Sequence, residues 1–467
     1  MRPGEYALKS VFIRPSRTRY VVPSINAITY AARTPSMDGD LEFVGSAVSF
    51  GFGGRMSRTA QCRRVKLTDP PKLCQGGGMT QIPALAGVRV LDLASVGPAA
   101  RASRALADYG AEVIKLGAVP RAGAVQIVPP FYAYSGNRGM QRALLDLKAD
   151  AGREAFLKLA EGADVIIESF RPGVVDRLGI GFAAVAERNP RIVYCSTSGF
   201  GQTGPRSSWA GHDVNYLATG GFLDCTGRRA DGRPALPGAT IADIAAGGMQ
   251  ATMAIMAGLL QRERTGVGEY LDVSIADGAF ALMSLYVDEY LATGVEPGPG
   301  HYILTGRYAC YEVYECGDGK FISVGAIEPQ FWRNLCGLLG LDEYATKQLD
   351  DDAQPEIAAA MTKVFRTKSR DEWVALLGPA DTCVAPVNTV AEAVVDEQYV
   401  ARGNVADAVH VTEGPFRQSA PVWAGTVPPD GPYEIRDGSA SDTEALLAAA
   451  GYAPHAIAEL VESGVVA

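Results

Sequence analysis

The sequence predicts an α/β protein in which a large Rossmann-like domain with a parallel sheet is joined to a smaller α+β domain. Uninterrupted apolar strands alternate with helical patterns from residue 85 onward, which is typical of a parallel sheet covered on both faces. A Gly- and Pro-rich stretch at 294–300 then marks a boundary, and a hairpin pattern turning at 317–319 follows it. The first strand is not followed by GxGxxG, so no dinucleotide fingerprint is present.

The large domain is predicted from alternating elements in its first part and a helix pair in its tail. Strands are expected at 88–93, 112–116, 164–168, 192–196 and 270–275. Helices are expected at 99–109, 151–160, 174–178, 182–188, 244–261, 278–292 and within 440–463. The small domain is predicted from strands at 311–315 and 320–324 and from helices at 331–339, 355–366 and 370–377.

The domain organisation follows from these patterns. Residues 1–78 lack a sustained period, and we expect a disordered extension or a true start at Met79. A targeting peptide for an organelle is the weaker alternative. The first part of the large domain is placed at 79–295, the linker and small domain at 296–400, and the return to the large domain at 401–467.

Charge and composition limit the class of partner. The formal net charge is −9, although residues 1–78 carry 12 Lys and Arg against 5 Asp and Glu. The strongly acidic remainder argues against nucleic acid. The eight scattered cysteines indicate reduced thiols in a cytoplasmic protein, and the four histidines show no metal-binding spacing. The apolar run at 249–260 is too short to span a bilayer, so no membrane association is expected.

Asp243 is the first candidate for chemistry, because it stands just before the long apolar helix predicted at 244–261. As a helix N-cap it would accept a hydrogen bond from a free backbone N–H. The same position would keep the carboxylate ionised, and such a group can act as a base or as a nucleophile. The sequence alone favours the N-cap.

Three further residues follow predicted strand ends or open a helix. His212 comes after a Gly-rich loop at 199–205, beyond the strand at 192–196, where open α/β sheets bind ligands. Its proton affinity suits proton transfer, although a lone histidine is more often structural. Arg171 follows the strand at 164–168 and suits either a phosphate contact or a surface ion pair. Glu328 precedes Pro329, which is typical of a helix start.

Several motifs occurring in a fixed order carry a resemblance that extends from about residue 85 to 466. They comprise 109–115 (YGAEVIK), Asn137-Arg138 with 145–148 (LDLK), 170–178 (FRPGVVDRL) and 265–270 (TGVGEY). Together they resemble the family III CoA-transferases, and 211–216 (GHDVNY) and 326–331 (AIEPQF) resemble its α-methylacyl-CoA racemase branch.

The resemblance implies roles for particular residues. Racemases of this type pair an Asp with a His assisted by a Glu, roles that fall on Asp243, His212 and Glu328. In the transferases the residue matching Asp243 is instead a nucleophile that forms an acyl anhydride and then a CoA thioester. Contacts to coenzyme A, present only as part of the acyl-CoA substrate, are expected at Asn137, Arg138, Arg171, Asn215, Tyr216, Gly247 and Gly248.

The resemblance also implies an interlocked homodimer in which Glu328 reaches Asp243 and His212 from the partner chain. Backbone N–H groups near Gly247 and Gly248 are expected to stabilise an enolate. The family pattern is lost after Lys115, around 140–142 and at 303–310. These departures keep two alternatives open beside racemisation of a 2-methylacyl-CoA, namely transfer of CoA between carboxylic acids and a non-catalytic CoA-binding subunit.

Overall fold

The computed structural model describes residues 82–94, 96–120, 129–134 and 138–467. The predictions made for residues 1–78 and for Asn137 lie outside these ranges. Within them, the predicted α/β class is confirmed, with a parallel sheet and a smaller antiparallel body.

The large sheet has six parallel strands in the order β3-β2-β1-β4-β5-β6. They are β1 (Arg89–Asp92), β2 (Glu112–Gly117), β3 (Gln141–Leu144), β4 (Val165–Glu168), β5 (Val193–Ser198) and β6 (Glu269–Ser274). Successive residues of the central strands point into different cores, as Val90 and Leu91 do, and both are fully buried. Two buried faces explain why these strands are apolar without alternation. β3, which has polar residues at its start, was not predicted.

Helices cover both faces of this sheet. They are α1 (Gly97–Asp108), α2 (Asp150–Glu161), α3 (Val174–Arg177), α4 (Phe182–Arg188), α5 (Asp213–Thr219), α6 (Phe222–Cys225), α7 (Gln250–Thr265), α8 (Ile275–Leu282) and α9 (Ser284–Thr293). Leu106 of α1 and Ile255 of α7 pack against one face. Phe156 of α2 packs against the other face, together with Leu447 and Ile457 from the chain's tail.

Two turns of π-helix, Ala242–Met249, run directly into α7. The resulting 24-residue helix, Ala242–Thr265, is long and apolar enough to cross a membrane by length and composition. The expectation of no membrane association considered only the apolar run at 249–260, and the helix in the structure is longer than that run. The finding is weak support for a membrane span, because a core helix passes the same test, and Ala251, Ile255 and Leu259 pack on the sheet.

The small body is built around an antiparallel sheet of β7 (Tyr311–Glu315), β8 (Phe321–Gly325) and β9 (Val384–Pro386). Its helices are α10 (Pro329–Leu339), α11 (Gln354–Phe365), α12 (Arg370–Leu377), α13 (Val390–Ala393) and α14 (Glu397–Ala401). Trp332, Phe365 and Leu377 are almost fully buried in a core of its own. The predicted hairpin and three helices of this body are present.

The chain then returns to the large sheet. A three-stranded sheet that was not predicted comes first, with β10 (Val405–His410), β11 (Gly414–Ser419) and β12 (Tyr433–Ile435). The predicted tail helices are α15 (Thr443–Ala449) and α16 (Pro454–Glu462). Thr443 Oγ1 accepts the Leu144 N–H at 2.8 Å, and Val466 bridges to Leu145, so the tail extends the edge at β3.

Candidate active site

Asp243 lies in the first π-helical turn and does not cap it. The preceding Ile241 already has helical dihedrals, and no side chain caps this helix. The Asp243 backbone N–H donates instead to Asp213 Oδ1 at 2.9 Å. The N-cap interpretation is therefore wrong, since the helix begins two residues earlier, at Ala242, than the sequence indicated. The bond to Asp213 joins the start of this helix to the start of α5.

The surroundings of Asp243 raise its proton affinity. Burial raises the pKa of Asp243 above its ordinary value, and the nearby Asp213 carboxylate raises it further. The positive charges of Arg101 and His212 act in the opposite direction. The expectation that the helix start lowers the pKa of Asp243 is not met, because burial raises it. A carboxylate whose pKa is raised is a stronger base, which suits proton abstraction.

His212 occupies the residue before α5 and has extended backbone. Its backbone N–H donates to Asn215 Oδ1 at 3.0 Å, and its carbonyl oxygen accepts the Asn215 N–H at 2.8 Å. The amide of Asn215 thus fixes the helix start, and the His212 side chain remains exposed. The charge of His212 acts on Asp243, so the structure brings together two of the three predicted acid/base residues.

Tyr216 forms a buried wall beside this pair. Its ring packs edge-on against Phe200 at 5.2 Å between centroids. Gly199 and Gly211 leave the room it needs, because a Cβ at either position would lie within 2.8 Å of the Tyr216 side chain. Burial and the nearby Asp243 raise the pKa of Tyr216 to about 12, so its hydroxyl keeps its proton near neutral pH.

Gly247 and Gly248 have a packing role that the sequence did not reveal. A Cβ at Gly247 would lie 2.6 Å from Pro98 Cβ, and one at Gly248 would lie 2.9 Å from Arg101 Cβ. Both residues are buried, and their lack of side chains lets the π-helical turns approach α1 closely. They lie one to two turns inside the helix, where N–H groups are used by the helix itself. The expectation that they supply donors to a ligand is therefore not supported.

Arg138 is also placed differently from its prediction as a CoA ligand. Only 2% of the residue is exposed. Its Nη2 contacts Asp108 Oδ1 at 3.1 Å, and its Nη1 donates to the Ser419 carbonyl oxygen at 2.7 Å. The guanidinium also lies 4.3 Å from the centre of the Tyr433 ring. Arg138 thus ties the small β11-β10-β12 sheet to α1, and a ligand cannot reach it in this structure.

Arg171 and Glu328 are both exposed. Arg171 follows β4 at the carboxyl edge of the parallel sheet, as predicted, and its role in binding stays a prediction. Glu328 occupies the position before α10 in the small body, where its charge raises the pKa of the Cys383 thiol. Among the residues described, no hydrogen bond or ion pair joins Glu328 to Asp243 or His212.

The sequence did not single out Asp213 and Arg101, which lie near the pair, or the buried ion pair of Lys115 with Asp92. Asp213 receives the Asp243 N–H, and its position next to His212 could have drawn attention to it. Lys115 Nζ contacts the fully buried Asp92 carboxylate at 2.6 Å, which fixes the ends of β1 and β2. Arg101 acts on Asp243 from α1, and nothing in its sequence neighbourhood signals that proximity.

Comparison with known proteins identifies the family of this chain. The CoA-transferase family III matches residues 85–430, and the chain therefore belongs to that family. An α-methylacyl-CoA racemase from Mus musculus is 35% identical over 382 residues, covering 80% of this chain and 96% of that protein. A succinyl-CoA:glutarate CoA-transferase from Homo sapiens is 32% identical, covering 73% of this chain and 80% of that protein.

The solved structures place the fold in the same group. A CAIB/BAIF family protein from Brucella suis superimposes with a TM-score of 0.64 at 27% identity. The match covers 79% of this chain and 99% of that one. The family membership makes this chain an enzyme of the family III CoA-transferase superfamily, with racemases and transferases at similar identity among its relatives.

Proposed function

We propose that the protein is an α-methylacyl-CoA racemase-like enzyme that inverts C2 of a 2-methylacyl-CoA. The observation that carries this proposal is the electrostatic proximity of Asp243 and His212 at two helix starts joined by one hydrogen bond. Racemisation requires two acid/base groups, whereas transfer of CoA requires a single carboxylate nucleophile. The racemases at 35% identity support the same choice.

The proposed chemistry is a two-base proton transfer. One member of the Asp243–His212 pair removes the proton from C2, and the electron pair moves into the thioester as an enolate. The other member then delivers a proton to the opposite face of C2, and the electron pair returns to form the new C–H bond. The raised pKa of Asp243 brings its proton affinity closer to that of an imidazole, which eases transfer in both directions.

The acyl-CoA is proposed to lie at the carboxyl edge of the parallel sheet. Arg171, Asn215 and Tyr216 remain the proposed contacts to its CoA part. We propose no permanently bound cofactor. We expect a homodimer in which Glu328 arrives from the partner chain to assist His212. Exposed apolar side chains on α8 and α9, including Phe280, Leu285 and Leu291, are available for such an interface. Sedimentation as a stable monomer would contradict this arrangement.

The proposal is tested by incubating one enantiomer of a 2-methylacyl-CoA with the protein in deuterated water, with and without an acceptor acid. We expect deuterium at C2 without any acceptor, and loss of exchange in Asp243→Asn and His212→Ala. Absence of exchange in the wild-type protein under all conditions would refute racemisation.

CoA transfer between carboxylic acids is the second candidate. It is favoured by the segment at 303–310, which departs from the racemase pattern, and by transferases at 30–32% identity among the relatives. Transfer would pass through an acyl anhydride on Asp243 and then a CoA thioester of Asp243, which hydroxylamine would convert to an Asp243 hydroxamate with release of CoA. Detection of that hydroxamate, together with CoA moving to the added acid, would replace the racemase proposal.

A further inference from the structure

A cavity of about 370 Å³ lies beside the helix turns that carry Asp243. Ile244, Gly248 and Met249 of these turns form one side, and Arg101 and Arg104 of α1 form the other. Trp423, from the segment after β11, completes the lining. The cavity therefore adjoins the proposed reaction centre, and none of the roles assigned above uses it.

Positive charge exceeds negative charge around this cavity. Asp108 is the carboxylate among its lining residues, and two guanidiniums already share it. Arg104 Nη2 lies 2.7 Å from Asp108 Oδ1, and Arg138 Nη2 lies 3.1 Å from the same oxygen. One carboxylate cannot neutralise two buried arginines, and the pKa of Arg104 is lowered to about 10 by burial and by Arg138. The charged residues that line the cavity, Arg101, Arg104 and Asp108, thus carry a net positive charge.

Arg101 is the other cation that lines the cavity, and its charge also acts on Asp243. Its Nη2 donates to Thr240 Oγ1 at 3.0 Å, and its guanidinium carbon lies 5.3 Å from the centre of the Tyr134 ring. Its Nε is buried without a hydrogen-bond partner. Within the described residues no carboxylate forms an ion pair with Arg101. Thr240 and Tyr134 hold the guanidinium in place, and among the described residues its Nη1 has no hydrogen-bond partner.

Part of the cavity lining is apolar. Met249, Val422 and Trp423 present hydrocarbon and aromatic surface, and Met249 and Val422 are exposed in the chain as described. A lining that combines a cation with apolar side chains matches an organic chain ending in a carboxylate. A phosphate would use the arginine but would leave the apolar side chains unused.

We propose that this cavity receives the acyl part of the substrate and that Arg101 binds a free carboxylate at the end of that acyl chain. The substrate class is therefore an ω-carboxyacyl thioester of CoA, in which the charged end of the chain pairs with Arg101. This inference rests on the proposed function for the placement of the thioester near Asp243. It concerns recognition alone and adds no step to the chemistry.

Binding of a matched pair of thioesters tests the proposal without turnover. The probes are adipoyl-CoA and hexanoyl-CoA, which have six-carbon chains and differ in the terminal carboxylate. Calorimetry with the full-length protein should show adipoyl-CoA binding roughly tenfold or more tighter, as expected for a hydrogen-bonded charge pair. This comparison uses the wild-type protein, so it does not depend on whether any variant folds.

Variants then assign the preference to Arg101. Arg101→Gln should remove the preference for adipoyl-CoA and leave hexanoyl-CoA binding unchanged, and Arg101→Lys should keep part of it. Arg264→Gln, which removes an exposed charge at the far end of α7, is the matched control and should keep all of it. Equal binding of the two thioesters by the wild-type protein would overturn the inference.

Equal weakening of both thioesters in Arg101→Gln would also overturn it, because Arg101 would then serve the CoA part. Failure of the proposed function is distinguishable from these outcomes. It would appear as absence of deuterium exchange, whatever the preference between the two thioesters.

Discussion

The two bodies of the chain differ in how completely they assemble their candidate acid/base residues. In the large body, Asp243 is half-buried and lies within the fields of His212, Arg101 and Asp213. In the small body, Glu328 is exposed, and no hydrogen bond or ion pair is described for its carboxylate. The comparison indicates that Asp243 and His212 are brought together within the large body, while the proposed role of Glu328 requires a second surface beside it.

Replacing Asp243 should have the largest effect. Asp243→Asn keeps the shape of the side chain but removes its ability to accept a proton, and we expect exchange at C2 to fall by about 10²- to 10⁴-fold. Deuterium incorporation measured by mass spectrometry provides the readout. The exposed Asp430→Asn offers a matched control with the same chemical change. Retention of most activity in Asp243→Asn would remove the centre of the proposed site.

Co-expression of two inactive variants asks whether Glu328 acts across a dimer. A mixed dimer of Asp243→Asn and Glu328→Gln chains has one site with both residues intact, if each site combines two chains. We therefore expect the mixture to regain a substantial part of one site's activity, measured as deuterium exchange after purification with two different tags. Recovery no greater than that of either variant alone would place Glu328 in its own chain's site or outside the chemistry.

The pH dependence of turnover should reflect the buried setting of Asp243. Because the ionised carboxylate is the base and its pKa is raised, the rate should fall as the pH drops through that raised pKa. Arg101→Gln removes a charge that lowers the pKa of Asp243, so the acidic limb of the profile should move to higher pH. A profile recorded for both proteins checks the direction. A shift to lower pH, or none, would mean that Arg101 does not act on Asp243.

The smallest expected effect concerns packing beneath the site. Gly247→Ala places a methyl group against Pro98, and such overpacking costs about 1–3 kcal/mol of unfolding free energy. Chemical denaturation followed by circular dichroism measures this difference. Gly227→Ala, where a Cβ would meet no atom within 4 Å, should change stability far less. Equal effects at the two positions would show that Gly247 is not a close-contact residue.

The sequence predicted the parts of this fold in which burial dictates composition. β1, β4 and β5 are buried on both faces and so appear as apolar runs, and the hairpin of β7 and β8 is marked by its Gly-Asp-Gly turn. β3 and the β11-β10-β12 sheet were missed, because their polar residues and prolines resemble loop sequence. Their pairing is set by distant segments, such as the contact of Arg138 with Ser419.

Some residues of the site could be predicted from the sequence and others could not, for a related reason. Asp243 and His212 were found through motifs, and the structure brings them together. Arg138 lies in a motif too, yet a motif does not reveal that its guanidinium is buried against Asp108 and Tyr433. Gly247 and Gly248 looked like ligand contacts, although they permit helix packing. Arg101 was not predicted, because its proximity to Asp243 depends on how α1 packs against the π-helical turns.

The central claim is that Asp243 and His212 act on opposite faces of C2. The most direct test is to measure deuterium at C2 of substrate and product early in the reaction. One enantiomer of a 2-methylacyl-CoA is converted in deuterated water, and the reaction is stopped within the first few per cent. The account predicts that inverted product carries deuterium at C2 while the remaining substrate still carries hydrogen. Inverted product that retains the substrate's own hydrogen would indicate a single base, and absence of inversion with CoA moving to an added acid would contradict the account altogether.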